Sequence, residues 1–370
     1  MLHRFTEVFN IMILYIWKWI NQEGKFVKDT VIDNATSIIW SKECWKAGYF
    51  ELYLRATPEF MSLFHNNTTM ITRSDRKEAM ITEKVQLTTD AENGDYLTIS
   101  GSSAEVMIGY RVFTKQWNYS NWYAESMIRD MINSQLITPD DIGRKIMLIS
   151  LGENHGWYVK TSKQVVGKNL LTVISEVCES LQWGFELAFS NDDGRFTFEL
   201  YQGEDHSGQS LLPVVVFSPE YGNLGNTDYS RDHSTYFNSV YVGGEGEGSD
   251  RVIVNERTGR TGMFMRELWI DSRNTSSTTE GGTLTPTEYN NLLSAEGLEE
   301  LELHKDTITY SGEVFNTDMY KYGEDYNLGD KVAIENEYGI KATAIVSAIT
   351  EVEDETGYRL YPTLTEWSVN

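Results

Sequence analysis

VIDNATSIIWSKECWKAGYFELYLRA, residues 31–56, sets the fold class. In its second half Phe50, Leu52 and Leu54 fall on one face, while Glu51, Tyr53 and Arg55 fall on the other. A period of two belongs to a strand with one buried side, because successive Cβ atoms leave a pleated backbone in opposite directions. The spacing predicts a strand over 49–55, an extended run before it, and a turn at Lys46–Gly48 between them.

The pattern continues on both sides. Upstream, FNIMILYIWKWI (9–20) holds only about a dozen apolar residues, short of the roughly 20 that span a membrane, and no small-residue cleavage site follows it. With Glu23-Gly24 separating it from the next extended run, a buried hairpin is expected. Downstream, 69–89 and 95–101 flank Asn93-Gly94, and Phe185–Phe189 and Phe196–Tyr201 flank Asp193-Gly194, both of which suit hairpin turns. The C-terminal part repeats this: Lys331–Glu335, Ile340–Val352 and Tyr358–Trp367 are separated by Tyr338-Gly339 and Thr356-Gly357.

Helical spacing stands out in three places. Residues 121–136 align Tyr123, Met127, Ile128, Met131, Ile132 and Leu136, and residues 168–182 align Leu170, Leu171, Ile174, Val177, Cys178 and Leu181. The third helix begins TPTE: Thr285 caps, Pro286 takes the first helical position and Glu288 completes a capping box, with Tyr289, Leu292, Leu293 and Leu301 on the apolar face. Residues 222–235 and 273–285 read as polar loops and as candidate borders. The fold class is α+β, mostly β: a central α+β unit between two β units.

Composition narrows the function. The chain has 370 residues, 12 % of them aromatic, so it buries substantial cores and is not disordered. Its 55 acids against 31 bases, a net charge of −24, exclude a bulk duplex binder and oppose docking on anionic lipid. Cys44 and Cys178 make no metal-like spacing, and two cysteines are too few for a disulfide framework, so folding in a reducing cytoplasm is expected.

Motifs for chemistry are missing. The sequence has no HExxH, GxSxG, Walker A loop or dinucleotide fingerprint. Its six His are dispersed; His155 beside Glu153 is the best isolated acid/base candidate, and a polar loop histidine is the plainer reading. Cys178 lies on an apolar helix face, where a thiol is ordinarily inert. The pairs Asp192/Asp193, Glu299/Glu300 and Asp354/Glu355 carry no weight in a chain so rich in acids. GGEGEGSDR (243–251) lacks the Lys and Thr of a phosphate loop and the ligand spacing of a calcium loop, and reads as a flexible acidic connection. Trp40, Trp45, Trp117, Trp122 and Trp157 read as core or interface aromatics. No catalytic, cofactor-binding or metal-binding residue is nominated, and no cofactor is expected.

Four blocks in order resemble the tail-tip (baseplate hub) protein family of siphovirus-type phages, related to the N-terminal hub region of tail-associated lysins. The first is 31–54, through Val31, Ile32, Asp33, Ser37, Ile39, Trp40, Gly48, Phe50, Glu51 and Leu52. The second, YLTISGSSAEVMIGYRVF (96–113), matches at Gly101 and Arg111, with Ser102 where the family usually has Arg. The third, FNSVYVGGEGEGSDRV (237–252), matches from Asn238 through Val240, Tyr241, Val242 and the GEGEG run to Arg251, and RELWIDSR (266–273) follows it. The fourth, within 320–366, matches at Tyr326, Leu328, Gly329, Asp330 and Val332.

The resemblance implies a non-enzymatic structural virion protein at the tail tip, with two tube-like β-barrel domains per subunit so that a homotrimer makes a pseudo-hexameric ring. It implies 1–118 as part of the first tube-like domain, 119–230 as a central α+β domain, and 231–370 as completing the first barrel and forming the second. Implied partners are a distal tail protein ring, the tail tube or tape-measure protein, and downstream tail-tip or receptor-binding proteins; DNA passes through without specific binding. Sheet edges around 31–55 and 331–366 are expected to meet neighbouring subunits. The alternatives are a tail-associated cell-wall hydrolase, disfavoured because the chain ends just after the last hub-like block, and a receptor- or carbohydrate-binding tail module.

Overall fold

β1 (Leu14–Ile20), β2 (Lys25–Ile32), β3 (Ser37–Glu43) and β4 (Tyr49–Arg55) precede a short helix, α1 (Pro58–Asn66), and β5 (Thr69–Arg73), β6 (Ala79–Thr88) and β7 (Tyr96–Ser103) follow it. The middle of the chain forms β8 (Trp117–Tyr123), α2 (Ala124–Ile132), β9 (Ile149–Leu151), β10 (Lys160–Val165), α3 (Leu170–Leu181), β11 (Trp183–Ser190) and β12 (Arg195–Gln202). Then come β13 (Asp205–His206), β14 (Val216–Phe217), β15 (Leu224–Asp232), β16 (Ser239–Gly243), β17 (Ile253–Arg257), β18 (Glu267–Asp271), the two-residue strands β19 (Thr278–Thr279) and β20 (Gly282–Thr283), and α4 (Pro286–Leu303). The chain closes with β21 (Thr307–Val314), β22 (Lys331–Glu335), β23 (Lys341–Asp354) and β24 (Gly357–Val369). This computed structural model describes residues 12–20, 24–66, 68–90, 94–259, 261–279, 282–315, 319–335 and 341–369.

The first and last strands share one large sheet, in the order β15-β21-β24-β23-β3-β4-β7-β6-β5-β1-β2, with β22, β13 and β14 branching from β23. β24 runs along one edge of β23. The other edge serves two neighbours: residues 341–345 pair with β22 and residues 348–353 with β3. The C-terminal strands thus extend the sheet that the N-terminal strands begin. Among the described residues its end strands, β15 and β2, do not pair with each other, so the sheet stays open rather than closing as a barrel.

The alternation expected in 49–55 is present: Phe50, Leu52 and Leu54 are 1 %, 0 % and 1 % exposed. They share a core with Leu14, Ile16, Trp40, Ile71 and Ile99, which wraps Leu63 and Phe64 of α1. The opposite face, through Trp17, Phe26, Met70 and Ile81, joins the core of the middle region around α2, α3, β11 and β12. A separate core lies where α4 covers Val240 and Val242 of β16. There the close helix–sheet approach requires Gly297, because a Cβ would stand 2.8 Å from a Val242 methyl.

The hairpins at β1–β2, β11–β12 and β23–β24 occur as expected. Glu23, Asn93, Tyr338, Gly339 and Ile340 lie outside the described residues. Other expectations need correction. Val31 and Ile32 end β2, and β3 starts only at Ser37. The helix expected from 121 starts at Ala124, because 117–123 pair with β10; Asn121, at φ 56°, sits in the register shift within that pairing, which resumes at Trp122 and Tyr123, and Tyr123 is exposed. Main-chain pairing there overrides the apolar period. Residues 224–232, expected as loop, form β15, a polar strand held by β21. The helix α1 was not foreseen.

Candidate functional site: a buried polar junction and the surfaces it positions

Charged side chains meet where β3, β5, β11 and β23 converge. Lys42 of β3 lies 2.8 Å from Glu78 and 2.6 Å from Glu186 of β11. Arg73 of β5 contacts Glu351 of β23 at 2.9 Å and holds Asp75 with two hydrogen bonds of 3.0 and 2.8 Å. Tyr358 donates to the other Glu351 oxygen at 2.7 Å. Burial opposes charge on Lys42, yet Glu78 and Glu186 hold its ammonium well above the usual range. Likewise burial alone would raise the Glu78 carboxyl, but Lys42 outweighs it and the group is lowered. Paired in this way, the charges tie the N-terminal, middle and C-terminal strands together; removal of one partner would strand the other in a dry interior. Beside them Glu105 accepts from the Leu187 amide at 2.8 Å, and burial raises its carboxyl.

The four sequence blocks turn out to be fastenings. In the fourth, Asp330 is buried and its two oxygens accept from the amides of Glu204 and Asn327, both at 2.7 Å. Gly329, at φ 92°, lets its carbonyl approach Gly203 so closely that a Cβ there would lie 1.8 Å from it. In the third, Asn238 donates to the Phe264 carbonyl at 2.9 Å and accepts from the Arg266 amide at 2.8 Å, fixing β16 beside β18. In the second, Gly101 faces the β6 bulge at Thr82–Lys84, where a Cβ would stand 1.9 Å from the Ile81 carbonyl oxygen. In the first, Gly48 likewise excludes a side chain, because a Cβ there would stand 2.0 Å from the Ser41 carbonyl oxygen.

The acidic loop after β16 is anchored. Glu245 accepts from the Ser276 hydroxyl at 2.9 Å and from the Ser277 amide and hydroxyl at 3.0 and 2.5 Å, and its own amide donates to the Tyr289 hydroxyl at 2.8 Å. Arg251 donates to the Gly243 carbonyl at 2.8 Å and reaches Asp271 at 2.5 Å. Hydrogen bonds from Ser277 and Ser276 outweigh desolvation and lower the Glu245 carboxyl.

The isolated candidates for chemistry are occupied by structure. His155 stacks on Trp157 at 4.7 Å and its Nε2 meets the Leu200 carbonyl at 3.0 Å, while Glu125 accepts from the amides of His155 and Trp157 at 2.6 and 2.9 Å. Cys178 and Cys44 are both buried, and burial drives the Cys178 thiol well above its ordinary value. Asp193 and Asp354 cap turns, through the Arg195 and Thr356 amides, and Glu299 pairs with buried Lys163 at 2.5 Å. Among the described residues no group of three His, Cys, Asp or Glu side chains is placed to hold a metal.

The surface tells more. α4 covers one face of the three-stranded sheet β17-β16-β18; on the other, among the described residues, Ile253, Arg257, Glu267, Trp269 and Asp271 are exposed, Tyr241 and Asn255 half-buried, and Ser239 and Gly243 buried between them. In register that face presents Arg257, Ser239 and Glu267, then Asn255, Tyr241 and Trp269, then Ile253, Gly243 and Asp271. Nothing in the reading of the sequence singled out this face; only the alternation around Val240, Tyr241 and Val242 signals it.

The model of a siphovirus family, described as ReqiPepy6 Gp37-like protein, matches residues 13–364. The chain belongs to that family. Among solved structures it resembles a tail protein from Neisseria meningitidis MC58 (12 % identity, 96 % of each chain covered, TM-score 0.57). It also resembles a 43 kDa tail protein of prophage MuSo2 from Shewanella oneidensis (11 %, 95 % of this chain and 98 % of that one, TM-score 0.56). Prophage tail protein gp18 from Listeria monocytogenes EGD-e is similar at 11 % identity, with 96 % of this chain and 94 % of that one covered and a TM-score of 0.52. No match was found among the curated proteins.

The siphovirus assignment agrees with the resemblance read from the four blocks, and the fold is that of phage tail proteins. One expectation changes. Strands β3, β4, β23 and β24 have neighbours on both edges, so the segments around 31–55 and 331–366 lie largely inside the sheet. Among the described residues the sheet ends at β2 and β15 instead.

Proposed function

We propose that this Gp37-like chain is the tail-tip hub: a homotrimer, without enzymatic activity, that joins the tail tube and distal tail ring to the tip and lines part of the DNA exit channel. The observation that carries this reading is a tail-protein fold matched over nearly the whole of both chains, in a member of a siphovirus family. The pairing of β3 with β23 supports a first tube-like domain assembled from residues 1–118 and completed from 231–370, with 119–230 as the central α+β domain. The net charge of −24 supports an exit path whose walls repel the DNA they enclose.

Light scattering coupled to size exclusion tests the assembly, with the 42.4 kDa chain alone and mixed with its distal tail protein. A mass near three chains, alone or on the ring, is expected. A monomer that ignores the ring overturns the hub and favours a free receptor- or carbohydrate-binding module.

A further inference from the structure

We infer that the face of the β17-β16-β18 sheet opposite α4, together with the loop entering β18, is the interface through which one copy of this chain meets the next; the inference rests on the trimeric reading. The first observation is exposure. Met263 and Phe264 in that loop are 88 % and 61 % exposed, and Ile253 and Trp269 on the sheet face are 52 % and 48 % exposed. At 150–250 Å² per large side chain these four leave on the order of 500 Å² of apolar surface open. A standard interface takes about 800 Å² from each partner, so the apolar area these side chains leave open on the sheet and its entering loop is a large share of one.

The second observation is its fixed shape. The Phe264 carbonyl accepts from Asn238, the Arg266 amide donates to the same side chain, and Met265 donates to the Gly262 carbonyl at 3.0 Å. Gly243 gives the aromatic its seat, since a Cβ there would stand 2.6 Å from the Trp269 ring. Arg251 packs over that ring, 5.2 Å from its centroid. A display held this rigidly loses little entropy when covered.

The third observation is chemistry. Residues 251–273 hold five arginines, no lysine and three acids, in a chain whose net charge is −24. Aromatic residues, Met and Arg are the types enriched at protein interfaces, and Lys is depleted there. The locally basic segment complements an acidic protein surface, and the remainder of a neighbouring copy is such a surface. Nucleic acid fits poorly: Asp271 pairs with both Arg251 and Arg273, at 2.5 and 2.9 Å, and together with Glu256 and Glu267 it leaves the segment only two positive charges in excess.

The test compares the wild-type chain with a Met263→Asp, Phe264→Asp double variant by light scattering, each alone and with the distal tail protein. Both changed side chains are exposed, and circular dichroism checks that the fold is kept. The expected result is a trimeric wild type and a variant that stays monomeric under the same condition, with Phe264→Leu restoring the trimer. Arg257→Glu is expected to weaken assembly about tenfold, and an unchanged dissociation constant would overturn the acidic partner surface. A double variant that remains trimeric overturns this interface but leaves the trimeric hub standing, whereas a wild type that is monomeric alone and on the ring overturns both.

Discussion

Asp330 accepts two backbone amides from different stretches of chain, so its loss removes both of these hydrogen bonds at once. Asp330→Ala is expected to cost about 2–4 kcal/mol, read as a lower urea midpoint at unchanged slope. Lys42→Met removes the cation between Glu78 and Glu186 and is expected to cost about 3–5 kcal/mol, because two carboxylates then face each other in the interior. The same cluster makes stability depend on pH. Burial alone would raise Glu78 and Asp75, but Lys42 and Arg73 outweigh it and hold both below their unfolded values of 4.5 and 3.8. A depressed carboxyl contributes stability that is complete above its unfolded pKa and is lost as pH falls through its folded one. Melting temperatures are therefore expected to be flat for these groups from about pH 7 to 5 and to fall below about pH 4.5, and a Lys42→Met chain is expected to lose the Glu78 part of that fall. At this scale the sequence was partly legible: Gly101, Asn238 and Asp330 stood out as block residues. Their partners did not, since Asp330 meets Glu204 across a separation of 126 residues.

Elements were readable wherever their signals are local. In α4 the Thr285 hydroxyl accepts from the Glu288 amide at 3.3 Å and the Glu288 carboxylate returns to the Thr285 amide at 2.8 Å, the capping box that TPTE spells. Thr285→Ala is expected to cost about 1 kcal/mol, measured by chemical denaturation. Gly297→Leu attacks the other side of the same helix: it drives a side chain into Val240 and Val242 and is expected to cost about 1–3 kcal/mol while loosening α4 from β16, visible as faster amide exchange in the helix. The short α1 carried a similar start signal in Thr57-Pro58, where the Thr57 hydroxyl accepts from the Phe60 amide at 3.1 Å, but nine residues between strands give too few turns for an apolar period to register. The misread start of α2 has the opposite cause. Tyr123 fits a helical stripe, yet the main chain of Trp122 and Tyr123 pairs with Thr161 and Lys160, and a partner strand some 40 residues away leaves no trace in the local pattern. The pairing of β3 with β23, on which the continuity of the large sheet depends, spans more than 300 residues and is the least legible feature of all.

For the whole molecule the governing quantity is charge. Counterion release makes duplex binding a matter of how many Lys and Arg meet phosphates, and a chain with 55 acids against 31 bases leaves few such meetings uncompensated. The chain is therefore expected not to bind duplex DNA at pH 7.5 and about 50 mM salt, checked by fluorescence anisotropy on the assembled particle. The repulsion has a titratable origin, so it fades as carboxylates protonate. Below the isoelectric point, near 4.6, the sign of the net charge reverses and DNA retention is expected to appear. Binding already present at pH 7.5 would mean that cationic groups line the path, and the basic segment 251–273 would then face DNA rather than a neighbouring subunit. In that case Arg257→Glu would abolish retention without altering the trimer. Retention absent at pH 7.5 is the outcome that the proposed repulsive channel requires.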